Sequence, residues 1–371
     1  MTAAENILIE VKDLQVRFPI RKKKLFSSEI KQLRAVDGVS FDIKRGETVG
    51  LVGESGSGKT TVGRAILRAI DPSDGEVVFH TNGHDVDIAQ AEGEELRKFR
   101  QHMNMVFSEG SVNLSSLASD RLRLFRSRMS LVFQDPYSSL NPRMTVRDII
   151  AEPLIASGMM KDRQAIDDRV REIAARCKLN LEHLRRFPHA FSGGQRQRIC
   201  IARALVSRPD FVVCDESVSA LDVSIQAEIV NLLKDLQKEM GVAFLFIAHD
   251  LSVVAQMSHR VAVMYVGKFV EYASTEQLFF APRHPYTHAL LSAIPRADPD
   301  AEFNPIKLQG EIPNPLDAPS GCRFHSRCPF ARERCSQEAP EWREVDIEHF
   351  VACHFTEEFD FSRQKGQEPR E

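Results

Sequence analysis

The run Gly53-Glu54-Ser55-Gly56-Ser57-Gly58-Lys59-Thr60 constrains this chain more than any other feature. It lies between an apolar run, Thr48–Val52, and a helix-forming run that begins at Thr61. It fits G-x-x-x-x-G-K-[ST] at every fixed position, in the strand-before and helix-after setting that gives the pattern its meaning. Its glycines let backbone N–H groups wrap phosphate oxygens, and the following helix N-terminus, at Thr60-Thr61, adds a positive dipole. Lys59 is expected to reach the β- and γ-phosphates of ATP, and the Thr60 hydroxyl to ligate Mg2+. A loop of this kind needs a buried strand on one side and a packed helix on the other.

The rest of the chain supplies both. Residues 7–18 alternate like an edge strand, and Ala35–Ile43 reads as a second strand ending at the turn Lys44-Arg45-Gly46-Glu47. The basic stretch between them, Arg21–Lys31, reads as an exposed loop. Val146–Leu184 carries helical periodicity, and Ser192 opens another helix. Phe211–Cys214 and Val242–Ala248 are apolar enough for buried strands, with an amphipathic helix over Ile225–Glu239. Strands alternating with helices predict an α/β core with a mainly parallel sheet. From residue 295 onwards six prolines, Pro295 to Pro319, break any periodicity and read as a linker.

Phe211-Val212-Val213-Cys214-Asp215-Glu216 is an apolar strand that ends in two acids. Asp215 is expected to hold Mg2+, and Glu216 to orient the attacking water as a base. Alone this pattern is weak. Together with the phosphate loop it predicts a nucleotide-hydrolysing enzyme. Ser192-Gly193-Gly194-Gln195 then opens a helix 23 residues before Asp215.

The ordered set GESGSGKT, Gln134, FSGGQ, VVCDE, Ser219–Asp222 and His249 resembles the ABC transporter ATPases over about residues 7–295. The resemblance implies a P-loop NTPase core with a mainly parallel sheet, an antiparallel β subdomain and a helical subdomain at about 135–205. It also implies two ATPase subunits that sandwich two ATP molecules. Each nucleotide would lie between the Lys59 loop of one subunit and the Ser192–Gln195 helix end of the other. Gln134 would contact Mg2+ and the attacking water, His249 the γ-phosphate, and Asp222 the dimer interface. Phe18 is either the aromatic that stacks on adenine or a core residue. Phe191 stands where leucine is commoner, and Ser217-Val218 where Pro-Thr is usual.

Within that family, Gln134–Val146, Ala35–Phe41 and His284–Pro295 are similar to the oligopeptide/dipeptide importer ATPases, closest to the second ATPase of the pair. The implied partners are a second, related ATPase subunit, two membrane permeases and an extracytoplasmic solute-binding protein. The implied place is the cytoplasmic face of the inner membrane, as a peripheral subunit. No apolar run nears the roughly 20 residues a spanning helix needs, and the N-terminus lacks a signal-peptide pattern. A net charge of -3 gives no footprint for nucleic acid. Two other functions compete with the importer reading. One is a soluble ABC ATPase of repair or translation, which would usually carry a coiled coil or two cassettes. The other is a non-hydrolytic regulatory subunit, which intact Lys59, Asp215, Glu216 and His249 oppose.

Two features fall outside that pattern. Glu95–Phe107 and Arg121–Phe133 agree at 7 of 13 positions, which reads as an inserted partial duplication over about 95–133. Only the second copy runs into Gln134. Residues 296–371 read as a small irregular module, in which Cys322, Cys328, Cys335 and Cys353 fall within 32 residues. Cytosolic clusters of this kind favour metal over disulfides. Cys328-Pro329 suits iron–sulfur ligation better than a zinc ribbon. The importer resemblance implies a [4Fe–4S] cluster there, with Zn2+ or free structural thiols as the alternatives.

Overall fold

The computed structural model describes residues 6–24, 27–80, 111–114, 128–133, 135–219, 221–294 and 305–362. Gln134 lies outside the described residues, as does most of the duplicated segment.

Among the described residues, twelve strands form two sheets. The first is antiparallel, in the order β2-β1-β4-β5, from β1 (Ile7–Lys24), β2 (Ser27–Lys44), β4 (Asp74–His80) and β5 (Ser111–Asn113). The second runs β11-β12-β10-β9-β3-β8-β7-β6. Its parallel heart is β9 (Arg260–Tyr265), β3 (Thr48–Val52), β8 (Ala243–Ile247), β7 (Phe211–Asp215) and β6 (Met129–Val132). The strands β10 (Lys268–Ser274), β12 (His349–Val351) and β11 (Arg343–Asp346) extend it antiparallel. The fold is thus a mixed-sheet P-loop core with an antiparallel subdomain.

The central strands are apolar throughout because both faces are covered. Successive side chains of a strand point to opposite faces. Ala243, Leu245 and Ile247 of β8 therefore join the core under the antiparallel sheet and the helix Lys59–Ile66. Phe244 and Phe246 join the core under the helices Val146–Ala156, Arg163–Arg176, Gly193–Leu205 and Val223–Met240. The helical subdomain therefore stands on one face of the sheet and the antiparallel sheet on the other.

Three expectations change. The strand at residues 7–18 is not an edge, since β1 lies between β2 and β4. Nor is the basic stretch a loop. Pairing continues from Arg21↔Ile30 to Lys24↔Ser27, so β1 and β2 form one hairpin of 18-residue strands. Backbone pairing overrides weak apolar patterning there. Residues 343–351 also join the core sheet through β10 and β12, so the C-terminal segment continues it.

A buried charge cluster binds the two sheets. Arg260 on β9 donates to Glu47 Oε1 at 2.6 Å and Oε2 at 2.7 Å, and to Asp42 Oδ2 at 2.8 Å. Glu271 is fully buried and accepts from the Arg283 and His284 backbone N–H groups and bonds His349 at 2.8 Å.

Candidate functional site

The phosphate loop leaves β3 and turns into the helix Lys59–Ile66. Its shape depends on glycine at two places. Gly53 has φ +147, and a Cβ there would lie 2.1 Å from the Met264 carbonyl oxygen. Gly58 has φ +108, and a Cβ there would lie 2.2 Å from the Ala35 carbonyl oxygen. Both contacts are far inside van der Waals range, and both torsions belong to glycine's territory. The loop is therefore a bare-backbone cradle of the kind that admits phosphate oxygens. Ser57 Oγ is buried with no hydrogen-bond partner among the described residues.

Lys59 is almost fully buried and donates to the carbonyls of Gly53 at 2.8 Å and Glu54 at 3.0 Å. Burial lowers its pKa, while Glu216, Asp215 and Glu54 oppose that shift. The Thr60 hydroxyl donates to Asp215 Oδ1 at 2.7 Å, and Arg64 lies 3.8 Å from Asp215 Oδ2. A hydroxyl and a carboxylate on facing elements make an all-oxygen donor set of the type Mg2+ takes. The structure therefore brings Lys59, Thr60 and Asp215 to one point.

Glu216 follows at the end of β7 with φ +46. A non-glycine residue in that conformation stores strain, and such strain gathers at functional positions. Its backbone is fixed by a bond from its N–H to the Ile247 carbonyl at 2.9 Å. His249 follows β8 and is exposed.

The Ser192–Gln195 group stands on the helical subdomain. Ser192 Oγ accepts from the Gln195 N–H at 3.4 Å, and Gln195 Oε1 accepts from the Ser192 N–H at 3.1 Å. This capping box satisfies the helix end while both side chains stay exposed. A Cβ on Gly194 would come within 2.6 Å of the Ile225 Cγ2 methyl, so that side chain would have to shift. Asp222 precedes the helix Val223–Met240, makes no side-chain cap and is exposed. Phe18 pairs with Leu33 across the hairpin and packs at the margin of the core.

Sequence reasoning missed two residues that grip the loop. The Tyr286 hydroxyl accepts the Glu54 N–H at 3.0 Å, and Arg327 donates to the two Glu54 carboxylate oxygens at 2.6 and 3.0 Å. Tyr286 sits in the His284–Pro295 segment already singled out. Arg327 offers no signal beyond its place between Cys322 and Cys328.

The cysteine expectation needs correction. Cys322, Cys328, Cys335 and Cys353 do converge on one cavity, beside Phe324 and Phe355. Among the described residues, however, no group of three or more His, Cys, Asp or Glu is arranged to hold a metal ion. Metal ligation needs thiolates. Burial raises the pKa of Cys322, Cys328 and Cys353 in the metal-free chain. A bound metal would itself displace those protons, so what counts against a metal is the ligand geometry lacking among the described residues. Neither the [4Fe–4S] cluster nor the Zn2+ alternative is supported.

Comparison with known proteins agrees with the nucleotide geometry. A family model described as ABC transporter matches residues 36–219. One described as Oligopeptide/dipeptide transporter, C-terminal region, matches residues 270–335. The oligopeptide transport ATP-binding protein AppF of Bacillus subtilis is 45% identical, over 95% of this chain and 99% of its own length. OppF of Salmonella typhimurium, also an oligopeptide transport ATP-binding protein, is 45% identical, over 94% of this chain and 96% of its own. A putative peptide import ATP-binding protein of Brucella ovis is 47% identical, over 86% and 92%. Among solved structures, the dimeric ATP-binding cassette MJ0796 bound to ADP and Pi shares the fold, with a TM-score of 0.56 at 24% identity, over 72% of this chain and 99% of that one. These relatives are named for transport, and none of them supports a repair or translation ATPase or a non-hydrolytic subunit. No helix among the described residues is long and apolar enough to cross a membrane. With this phosphate loop, these acids and these relatives, the chain belongs to the ATP-hydrolysing subunits of ABC transporters, in the branch that carries the oligopeptide/dipeptide transporter C-terminal region.

Proposed function

We propose that this chain hydrolyses ATP at the Lys59–Thr60–Asp215 site to energise import of di- or oligopeptides, or related small solutes, through a membrane complex. The observation that carries the reading is the meeting of Lys59, Thr60 and Asp215 beside a strained Glu216. Gly53, Glu54, Ser55, Gly56, Ser57, Gly58 and Thr61 supply the cradle, and Phe18 takes the adenine side. Lys59 exchanges its two carbonyl partners for phosphate oxygens when the nucleotide enters. Mg2+ held by Thr60 and Asp215, with Gln134 completing the set, would offset charge on the phosphates. Glu216 orients the attacking water and accepts its proton, and His249 meets the γ-phosphate.

Ser192 and Gln195 are exposed at a helix N-terminus, which suits them to a nucleotide held by another subunit. That partner is a second ATPase, a paralogue, with Asp222 at the interface. The pair works with two permeases and an extracytoplasmic solute-binding protein, at the cytoplasmic face of the inner membrane. The nucleotide unit spans 1–295, with the helical subdomain at about 135–205, and the tail 296–371 is its C-terminal attachment.

The substrate class is tested by uptake of labelled peptides into vesicles that contain the permeases, this chain and its partner ATPase. ATP-dependent peptide uptake is expected. Uptake of a metal ion or a sugar, with no response to peptides, would refute the peptide assignment while leaving the ATPase reading in place.

A further inference from the structure

Glu54 is an anion inside a loop built for polyanions. Left alone, its carboxylate would repel the phosphates the loop must hold. Its influence reaches the site, since it is one of the acids acting on the Lys59 ammonium.

The C-terminal segment answers that charge. Arg327 lies in the turn His325–Arg327, between Cys322 and Cys328. Its guanidinium forks onto Glu54 with bonds of 2.6 and 3.0 Å, and its side chain is 8% exposed against 26% for Glu54. A bidentate pair of this kind fixes orientation as well as charge. Arg327 is itself held, because Nη1 also donates to the Tyr265 hydroxyl at 3.3 Å. Tyr265, Tyr286 and Phe324 form one buried aromatic group with ring centroids 4.8, 5.2 and 5.3 Å apart.

Tyr286 from that group accepts the Glu54 N–H, while the Glu54 carbonyl accepts from Lys59 Nζ at 3.0 Å and from the Ser57 N–H at 3.2 Å. All three polar groups of Glu54 are thus engaged. A second arginine of the same segment, Arg323, bonds Asp37 and the Val266 carbonyl, anchoring the turn beside the loop.

We infer that Arg327 is a positioning residue of the nucleotide site: it neutralises Glu54 and pins the phosphate loop, so that the C-terminal cysteine segment sets nucleotide affinity. The inference rests on the reading of residues 53–60 as the phosphate site.

The test is equilibrium binding of MgATP and MgADP to the full chain, with melting temperature measured in parallel. R327Q exposes an unneutralised charge and should weaken MgATP by about tenfold, and MgADP by less, because repulsion grows with phosphate charge. E54Q added to R327Q removes that charge and should return MgATP affinity to within about threefold of wild type. R327K keeps the charge that neutralises Glu54 but loses the fork, so it should bind MgATP more weakly than wild type and more tightly than R327Q. A purely packing role for Arg327 predicts no rescue by E54Q and equal losses for the two nucleotides. Unchanged binding in R327Q, a double variant no better than R327Q, or an R327K that binds as weakly as R327Q would each overturn the inference. If R327Q does not fold, the R327K and double-variant comparisons still decide it. K59A separates the two readings: MgATP binding that survives K59A refutes the phosphate site itself, whatever Arg327 does.

Discussion

Single residues decide whether the phosphate loop exists. Gly58 has no room for a Cβ against the Ala35 carbonyl, and its φ of +108 adds backbone strain for any other residue. Gly58→Ala is therefore expected to cost about 2–4 kcal/mol and to abolish nucleotide binding even where the chain still folds. Urea denaturation and nucleotide titration of the variant check this, and binding at wild-type strength would contradict it. Thr60 is a different case, because its hydroxyl is matched to Asp215 at 2.7 Å in a partly buried setting. Thr60→Val keeps the shape and removes the bond. It should lower ATP turnover by about 10- to 100-fold, in keeping with the loss of an Mg2+ donor, and do so far more than it lowers the melting temperature.

At the scale of elements, the joint between the two sheets rests on Arg260. It holds Asp42 and Glu47 of the hairpin and its turn to strand β9, and its side chain is 7% exposed. Removing one partner of a buried charge group leaves the others unpaired, so Arg260→Ala should cost about 3–5 kcal/mol in a denaturant titration. A second joint depends on pH. His284 caps the helix Pro285–Ser292 by accepting the Tyr286 N–H at Nδ1, and burial pulls its pKa down from 6.5 to about 3. The unfolded chain binds that proton first, so the stability this site contributes is full above pH 6.5. It is lost as pH falls towards 3, on the order of 1 kcal/mol of it by pH 5.5. H284N should flatten the fall in urea midpoint between pH 7.5 and 5.5, and identical slopes for variant and wild type would contradict the assignment. These joints were not legible in the sequence. Arg260 reads as one more charge in an apolar run, and His284 as part of a motif, because their meaning comes from partners up to 218 residues away.

At the scale of the whole molecule, legibility tracked local encoding. The phosphate loop, the strand that delivers Asp215 and Glu216, and the capped Ser192 helix each carry their geometry in a few adjacent residues, and each was readable. The long β1–β2 hairpin was not, because its outer half pairs by backbone bonds with little apolar alternation. The tail strands β11 and β12 were missed for a related reason: they are 4 and 3 residues long, too short to show a period. The four cysteines misled as a set, since nearness in sequence and shared lining of one cavity do not place thiols as metal ligands. The tail instead does its visible work through Arg327 and the aromatic group behind the phosphate loop. The central claim is that this chain hydrolyses ATP with Glu216 orienting the water. Steady-state ATP turnover and nucleotide affinity of Glu216→Gln, assembled with its transport partners, test it most directly. Turnover is expected to fall by at least about 100-fold while MgATP affinity holds or tightens. Turnover near the wild-type rate would contradict the account.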